Sequence, residues 1–292
     1  MEGACSDILV AQNEYIYLGQ YKFDYSLRPQ PVPYVNPGET AEALQVRGKP
    51  YTSRDKEPQN DYEKHQRDWL ERTQKGLLES LEDEHGGWNL GRRKMGLHLI
   101  APWGFLDETW FNRTYWIYSD TWPGYYLAHR GAKTGQLLAI GHDKTYAFQV
   151  FTSRNLQSPL YCADKGYLLY ADHDETRPAV SGETEGTTKG WGITRTLPPA
   201  WFQWVSLRAH AMVLAEGVLF VAGPPDPAKS QDPMATLAGE EGAQLWAVDT
   251  GSGKKLAGMS LRSGPVMDGI IAADGKLYMS TQDGSLCCLA PR

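Results

Sequence analysis

The chain reads as an all-β protein built from antiparallel meanders, and three observations carry that reading. First, the last 50 residues hold short apolar runs punctuated by Asp274-Gly275 and Asp283-Gly284. Asp-Gly tolerates the positive φ that type I′ hairpin turns need, so both dipeptides are expected hairpin tips. Second, the pattern repeats loosely. Gln136–Gly141 matches Gln244–Asp249 at an offset of 108, and Ala215–Val221 matches Ala273–Met279 at an offset of 58. Asn13–Leu18 and Asp164–Tyr170 are fainter copies. Third, 30 Gly and 18 Pro suit a chain dominated by turns. Units of ~40–50 residues with four short strands each are β-propeller blades, and the longer offset would be two of them.

Each element follows in order. Residues 7–27 read as strands. Residues 28–60 carry Pro29, Pro31, Pro33, Pro37, Pro50 and Pro58 and read as loop or linker. Residues 61–85 switch to a helical period, with Tyr62, Trp69, Leu70, Thr73, Leu77 and Leu81 on one face. Glu63/Arg67 and Glu71/Lys75 support that helix, Asn60 would cap it, and Gly86-Gly87 would end it. This helical insertion is expected to pack on the side of the domain. From Gly96 onward the chain is again strand and turn. Polar residues 174–190 and Pro-rich residues 223–241 read as excursions from sheet ends, where function often resides. The whole, 1–292, reads as a single domain.

The C-terminal block resembles the repeat of the PQQ-like, quinoprotein alcohol dehydrogenase-like propeller superfamily. That family's tryptophan-docking motif is Ala-x-Asp-x-x-Thr-Gly-Lys-x-x-Trp. Here Ala247, Asp249, Gly253 and Lys254 stand in place, Ser252 replaces the threonine, and Ala257 replaces the tryptophan. The match covers residues 242–289, and His98–Asp120 is similar to a stretch of large bacterial PQQ-repeat proteins. The resemblance implies four-stranded antiparallel blades, about four to five of them, as a ring or the C-terminal part of one. It also implies a periplasmic or extracellular location. Met1–Asp7 has neither the basic head nor the apolar stretch of a signal peptide. The chain is therefore expected to be the C-terminal portion of a longer product, a short cytoplasmic protein being the alternative.

Composition excludes some partners. A net charge of −6, spread along the chain, argues against nucleic acid, which needs a basic patch. No apolar run approaches the ~20 residues of a membrane-spanning helix. Four cysteines without zinc spacing make neither a disulfide framework nor a metal site.

The most unusual segment is 101–126. Trp103, Trp110, Trp116 and Trp122 are interleaved there with Asp107 and Arg113. These six residues are the candidate ligand platform, suited to stacking on sugar rings or a planar cofactor. The competing reading is that the rings fill space between blades. Asp107 and Glu108 are adjacent, so on a strand they would face opposite ways and could not act as one acid/base pair.

Two further candidates come with the resemblance. PQQ dehydrogenases place a disulfide between adjacent cysteines against the quinone, and this chain has Cys287-Cys288. They fall in a strand, where one would face each side. PQQ enzymes also bind calcium through an oxygen-rich shell, but no cluster here maps onto those ligands. Asp172, Asp174 and Glu175 around His173 read as a solvated turn. No metal site is expected, and PQQ with calcium is the only cofactor the resemblance suggests.

Three functions are therefore carried: a non-catalytic binding or scaffold module with a protein or polysaccharide partner, a PQQ-dependent dehydrogenase of alcohols or sugars, and a carbohydrate-binding protein using 101–126. The lost docking tryptophan and the missing quinone ligand set favour the first.

Overall fold

The computed structural model describes residues 8–19, 21–32, 94–101, 116–121, 132–150, 165–176 and 197–290. They form five small antiparallel sheets and almost no helix, as an all-β chain should. The expected helical insertion, 61–85, lies outside the described residues.

Each sheet is a run of consecutive strands. Sheet 1 joins β1 (Leu9–Gln12), β2 (Tyr15–Leu18) and β3 (Tyr21–Asp24). Sheet 2 joins β4 (Lys94–Ile100), β5 (Trp116–Thr121) and β6 (Thr134–Gly135). Sheet 3 has four strands: β7 (Leu137–Ile140), β8 (Lys144–Gln149), β9 (Tyr167–His173) and β10 (Trp201–Val205). Sheet 4 also has four: β11 (Ala211–Ala215), β12 (Val218–Gly223), β13 (Ala243–Asp249) and β14 (Lys255–Leu261). Sheet 5 joins β15 (Pro265–Ala273), β16 (Lys276–Thr281) and β17 (Leu286–Leu289). The first strands lie side by side, β11 between β7 and β15, and β1 against β4.

Alternation along the strands gives each sheet two faces, and successive sheets stack on them. Met212, Leu219, Val221 and Val248 of sheet 4 pack with Leu137, Tyr146, Phe148, Leu169 and Trp201 of sheet 3. On the opposite face Ala211, Ala222 and Leu245 pack with Ile270, Leu277 and Met279 of sheet 5. A smaller core of Tyr17, Met95, Ile100 and Ile117 joins sheets 1 and 2.

The turns explain which repeats are structural. Asp274 and Gly275 have φ of 50° and 68°, and they join β15 to β16 with Ala273 opposite Lys276. This is the expected type I′ tip. Glu216-Gly217 (49°, 77°) and Asn13-Glu14 (50°, 67°) do the same between β11 and β12 and between β1 and β2. These three copies are thus equivalent first-to-second-strand turns.

Asp283-Gly284 departs from the type I′ expectation. Only Gly284 (φ 82°) is left-handed. Thr281 N–H donates to Ser285 O (2.9 Å) and Gly284 N–H to Thr281 O (3.0 Å), so the loop has three residues. The Asp283 carboxylate accepts from Thr281 Oγ1 (2.6 Å) and Ser285 N (3.1 Å), which holds it at negative φ. The other two proposed repeats are out of phase. Gln136–Gly141 lies on a first strand and Gln244–Asp249 on a third, while Asp164–Tyr170 also leads into a third. A short buried alternation reads alike in any strand of a sheet, so sequence similarity alone does not set the phase.

The excursion after β12 holds a 3₁₀ turn, Pro227–Lys229, and a short helix α1, Pro233–Leu237. Asp226 and Asp232 cap them by accepting from main-chain N–H groups of the first turn.

Candidate functional site

The best-defined constellation is built on the β13–β14 hairpin. Asp249 N–H donates to Lys254 O (2.9 Å), and Gly253 N–H donates to Asp249 O (2.8 Å). The Asp249 carboxylate accepts from Ser252 N (2.7 Å) and Ser252 Oγ (2.6 Å). Those bonds favour the ionised form and lower its pKa, the Ser252 side chain contributing most. Ser252 thus holds the turn to Asp249 through both its main chain and its side chain. Gly253 sits at φ 71° and is buried.

What presses on Gly253 is Trp201 of the preceding sheet. A Cβ at 253 would lie 2.3 Å from Trp201 Cε3. Trp201 Nε1 donates to Thr250 O at 2.8 Å, and Gln203 Nε2 reaches Ser252 O at 3.4 Å. Thr250 Oγ1 donates to Gly217 O (2.7 Å), which fastens this turn to the β11–β12 turn. A tryptophan from another sheet thus packs on this turn, although none stands at 257.

The register explains how. Trp201 stands opposite Ala171 in sheet 3, as Ala257 stands opposite Ala247 in sheet 4. The same third-to-fourth-strand pair occurs twice. Only the connection differs: ten residues separate 247 from 257, and thirty separate 171 from 201. Ala247 is half-buried and Lys254 is exposed. Lys255 Nζ covers the Trp246 ring at 4.1 Å.

Of the candidate ligand platform only Trp116 is described. It opens β5, half-buried, opposite Gly135. Trp103, Asp107, Trp110, Arg113 and Trp122 lie outside the described residues. Cys287 and Cys288 are free thiols opposite Met279 and Tyr278. Cys287 is half-buried against the sheet 4–sheet 5 core and Cys288 is exposed.

Sequence reasoning missed two buried polar assemblies. The first corrects the solvated-turn reading of Asp172. Its side chain is buried at the end of β9 and accepts from Lys133 N (2.7 Å), although Asp174 and Glu175 are exposed as expected. Lys133 is itself only 1% exposed, and its Nζ donates to Asp174 O at 2.7 Å. Nearby, Tyr170 OH donates to Thr134 O (2.6 Å) and accepts from Thr134 N (3.0 Å), while Gln149 Nε2 donates to Thr134 O (2.8 Å). These bonds tie sheet 2 to sheet 3. Nothing local in the sequence marks them, because the partners are 15 to 41 residues apart.

The second is a stack between sheets 1 and 2. The His98 ring lies 3.7 Å from the Tyr17 ring at 14°. His98 is fully buried, its Nδ1 lies 2.6 Å from Gly96 O, and its Nε2 has no hydrogen-bond partner among the described residues. Burial, acting against the bond to Gly96 O, lowers its pKa and so favours the neutral imidazole. His210, near the start of β11, is also lowered, first by burial and then by Arg208.

Finally, the first strand of sheet 5, β15, breaks register between Pro265 and Ile270. Asp268 in this bulge has φ 54°, and its N–H donates to His210 O (2.9 Å), joining the first strands of sheets 4 and 5. Among the described residues no three His, Cys, Asp or Glu side chains group closely enough to hold a metal ion. No described helix is long and apolar enough to cross a membrane.

No protein-family model matches the chain. No curated protein matches it either.

Proposed function

We propose that the five sheets are blades of a PQQ-repeat type β-propeller, as a whole ring or part of one. We further propose that the molecule acts as a non-catalytic binding or scaffold module for a protein or polysaccharide. The observation that carries this reading is Trp201 seated on the Asp249–Lys254 turn of the next sheet. The resembled motif exists to make such a wedge between neighbouring blades. Sheets of consecutive strands with their first strands side by side support the same arrangement. Interlocked sheets make a rigid frame, and a rigid frame is what a recognition surface needs. Propellers host many unrelated activities, so the function rests on the site and not on the architecture.

The test is titration of the purified chain with PQQ, with and without Ca²⁺, followed by absorbance and by reduction of an artificial electron acceptor with alcohols and aldoses. The expected result is neither binding nor turnover, in protein shown to be folded by circular dichroism. Tight, Ca²⁺-dependent binding with turnover would make the protein a quinoprotein dehydrogenase. A glycan panel against wild type, Trp110→Ala and Trp116→Ala then asks whether the partner is a polysaccharide recognised at 101–126.

A further inference from the structure

We propose that copies of this chain associate head to tail, the outer face of sheet 1 in one copy stacking on the outer face of sheet 5 in the next. Alternation along β1, β2 and β3 sorts sheet 1 into two faces. Val10, Tyr15 and Tyr17 pack towards sheet 2 on one of them, which also carries Gln12, Lys22 and Asp24. The opposite face holds Leu9, Ala11, Ile16, Leu18, Tyr21 and Phe23, with no charged residue among them. A sheet with one wet side keeps its polar residues on that side. Sheet 1 does the reverse, its free face being more apolar than the face it buries.

Sheet 5 is left in the same state. Ile270, Leu277 and Met279 point into the core shared with sheet 4. Ile271, Tyr278, Leu286 and Cys288 alternate with that inward set and occupy the other face. The free faces of sheets 1 and 5 do not cover each other within one chain. Leu9 is 63% exposed, Tyr21 58%, Ile271 61% and Leu286 73%. Apolar surface gathered on one sheet face in this way marks a contact with another molecule.

What covers these faces follows from the packing already in place. Among the described residues neighbouring sheets meet in chain order, 1 on 2, 2 on 3, 3 on 4 and 4 on 5. Sheet 4 buries both its faces, one on sheet 3 and one on sheet 5. Sheets 1 and 5 are the ends of that run, and each has one face left over. The sheet 1 face of a second copy set on sheet 5 continues the same packing in the same order. It also uses both free faces, whereas a pairing of like with like leaves one of them bare. A contact between two different patches is heterologous, so a copy blocked at one patch still offers the other.

Sedimentation velocity of the full chain over a concentration series tests this, with Leu9→Lys blocking one face and Ile271→Lys the other. Both positions are open to water in the single chain, and circular dichroism checks that each variant is folded. Wild type is expected to associate reversibly with a midpoint on the order of micromolar. Each variant alone should weaken that association by at least about tenfold, because the contact would desolvate a lysine. An equimolar mixture of the two variants should form a dimer with the wild-type midpoint and nothing larger, since one intact face of each kind remains. A wild type that stays monomeric, a single variant that associates as well as wild type, or a mixture no better than its parts would each overturn the proposal.

Discussion

The indole of Trp201 fills the space that a side chain at Gly253 would need, its Cε3 lying 2.3 Å from where that Cβ would stand. One residue is on the edge strand of sheet 3 and the other on a hairpin turn of sheet 4. Their fit couples the two sheets. Gly253→Ala combines a clash with the Trp201 indole and a positive φ, the latter costing about 1–2 kcal/mol by itself. The total loss is therefore expected to exceed about 2 kcal/mol. Trp201→Ala should cost about 3–5 kcal/mol, and the double variant less than the sum because both changes remove one contact. Urea unfolding of the three variants measures this; full additivity would mean the two sites are not coupled.

The two Asp-Gly turns should respond alike at their glycines and differently at their aspartates. At Gly275 and Gly284 an added Cβ meets nothing within 4 Å, so substitution reports the backbone alone. Gly275→Ala and Gly284→Ala are each expected to cost about 1 kcal/mol. Their aspartates diverge. Asp274→Asn should be silent, since Asn also accepts the left-handed conformation. Asp283→Ala should destabilise, since it removes the acceptor for Thr281 Oγ1 and Ser285 N. Equal responses at 274 and 283 would contradict the two loop geometries.

Stability should fall on mild acidification because of the buried histidines. His98 and His210 both have folded pKa values below the ordinary one. Between the lowered folded value and the unfolded value near ~6.5 the unfolded chain binds more protons. Stability is therefore fully present above about pH 6.5 and declines as pH falls below it, by at most ~1.4 kcal/mol per pH unit for each histidine. His98→Phe keeps a ring to stack on Tyr17 and removes one titrating group. Urea midpoints from about pH 7.5 to 5 should show a shallower slope for it. An unchanged slope would place the proton uptake elsewhere.

Tyr170 OH bonds both main-chain groups of Thr134, so Tyr170→Phe strips a buried N–H and C=O of one partner each. The expected loss is about 1–3 kcal/mol. Hydrogen exchange at Thr134 is the direct readout: the variant should lose protection there while sheet 4 keeps its own. Retained protection at Thr134 would mean that its N–H does not depend on the Tyr170 hydroxyl.

Strand alternation, the Asp274-Gly275 hairpin tip and the all-β class were legible in the sequence because they depend on neighbours, whereas the three-residue loop at Asp283-Gly284 was not. Glu216-Gly217 and Asp274-Gly275 announce positive φ, and Tyr278 or Leu277 show their face by parity. The Asp249–Lys254 turn entered the sequence reading only through the family motif it resembles, although Asp249 and Ser252 make their bonds within four residues. Tertiary structure decided the rest. It placed Trp201 on Gly253, buried Asp172 under Lys133, stacked His98 on Tyr17 and bulged Asp268 out of β15. In each case the partner comes from a distant strand, and what selects it is fit and desolvation in three dimensions. Those quantities have no period in the chain, so no spacing rule along it could reveal them.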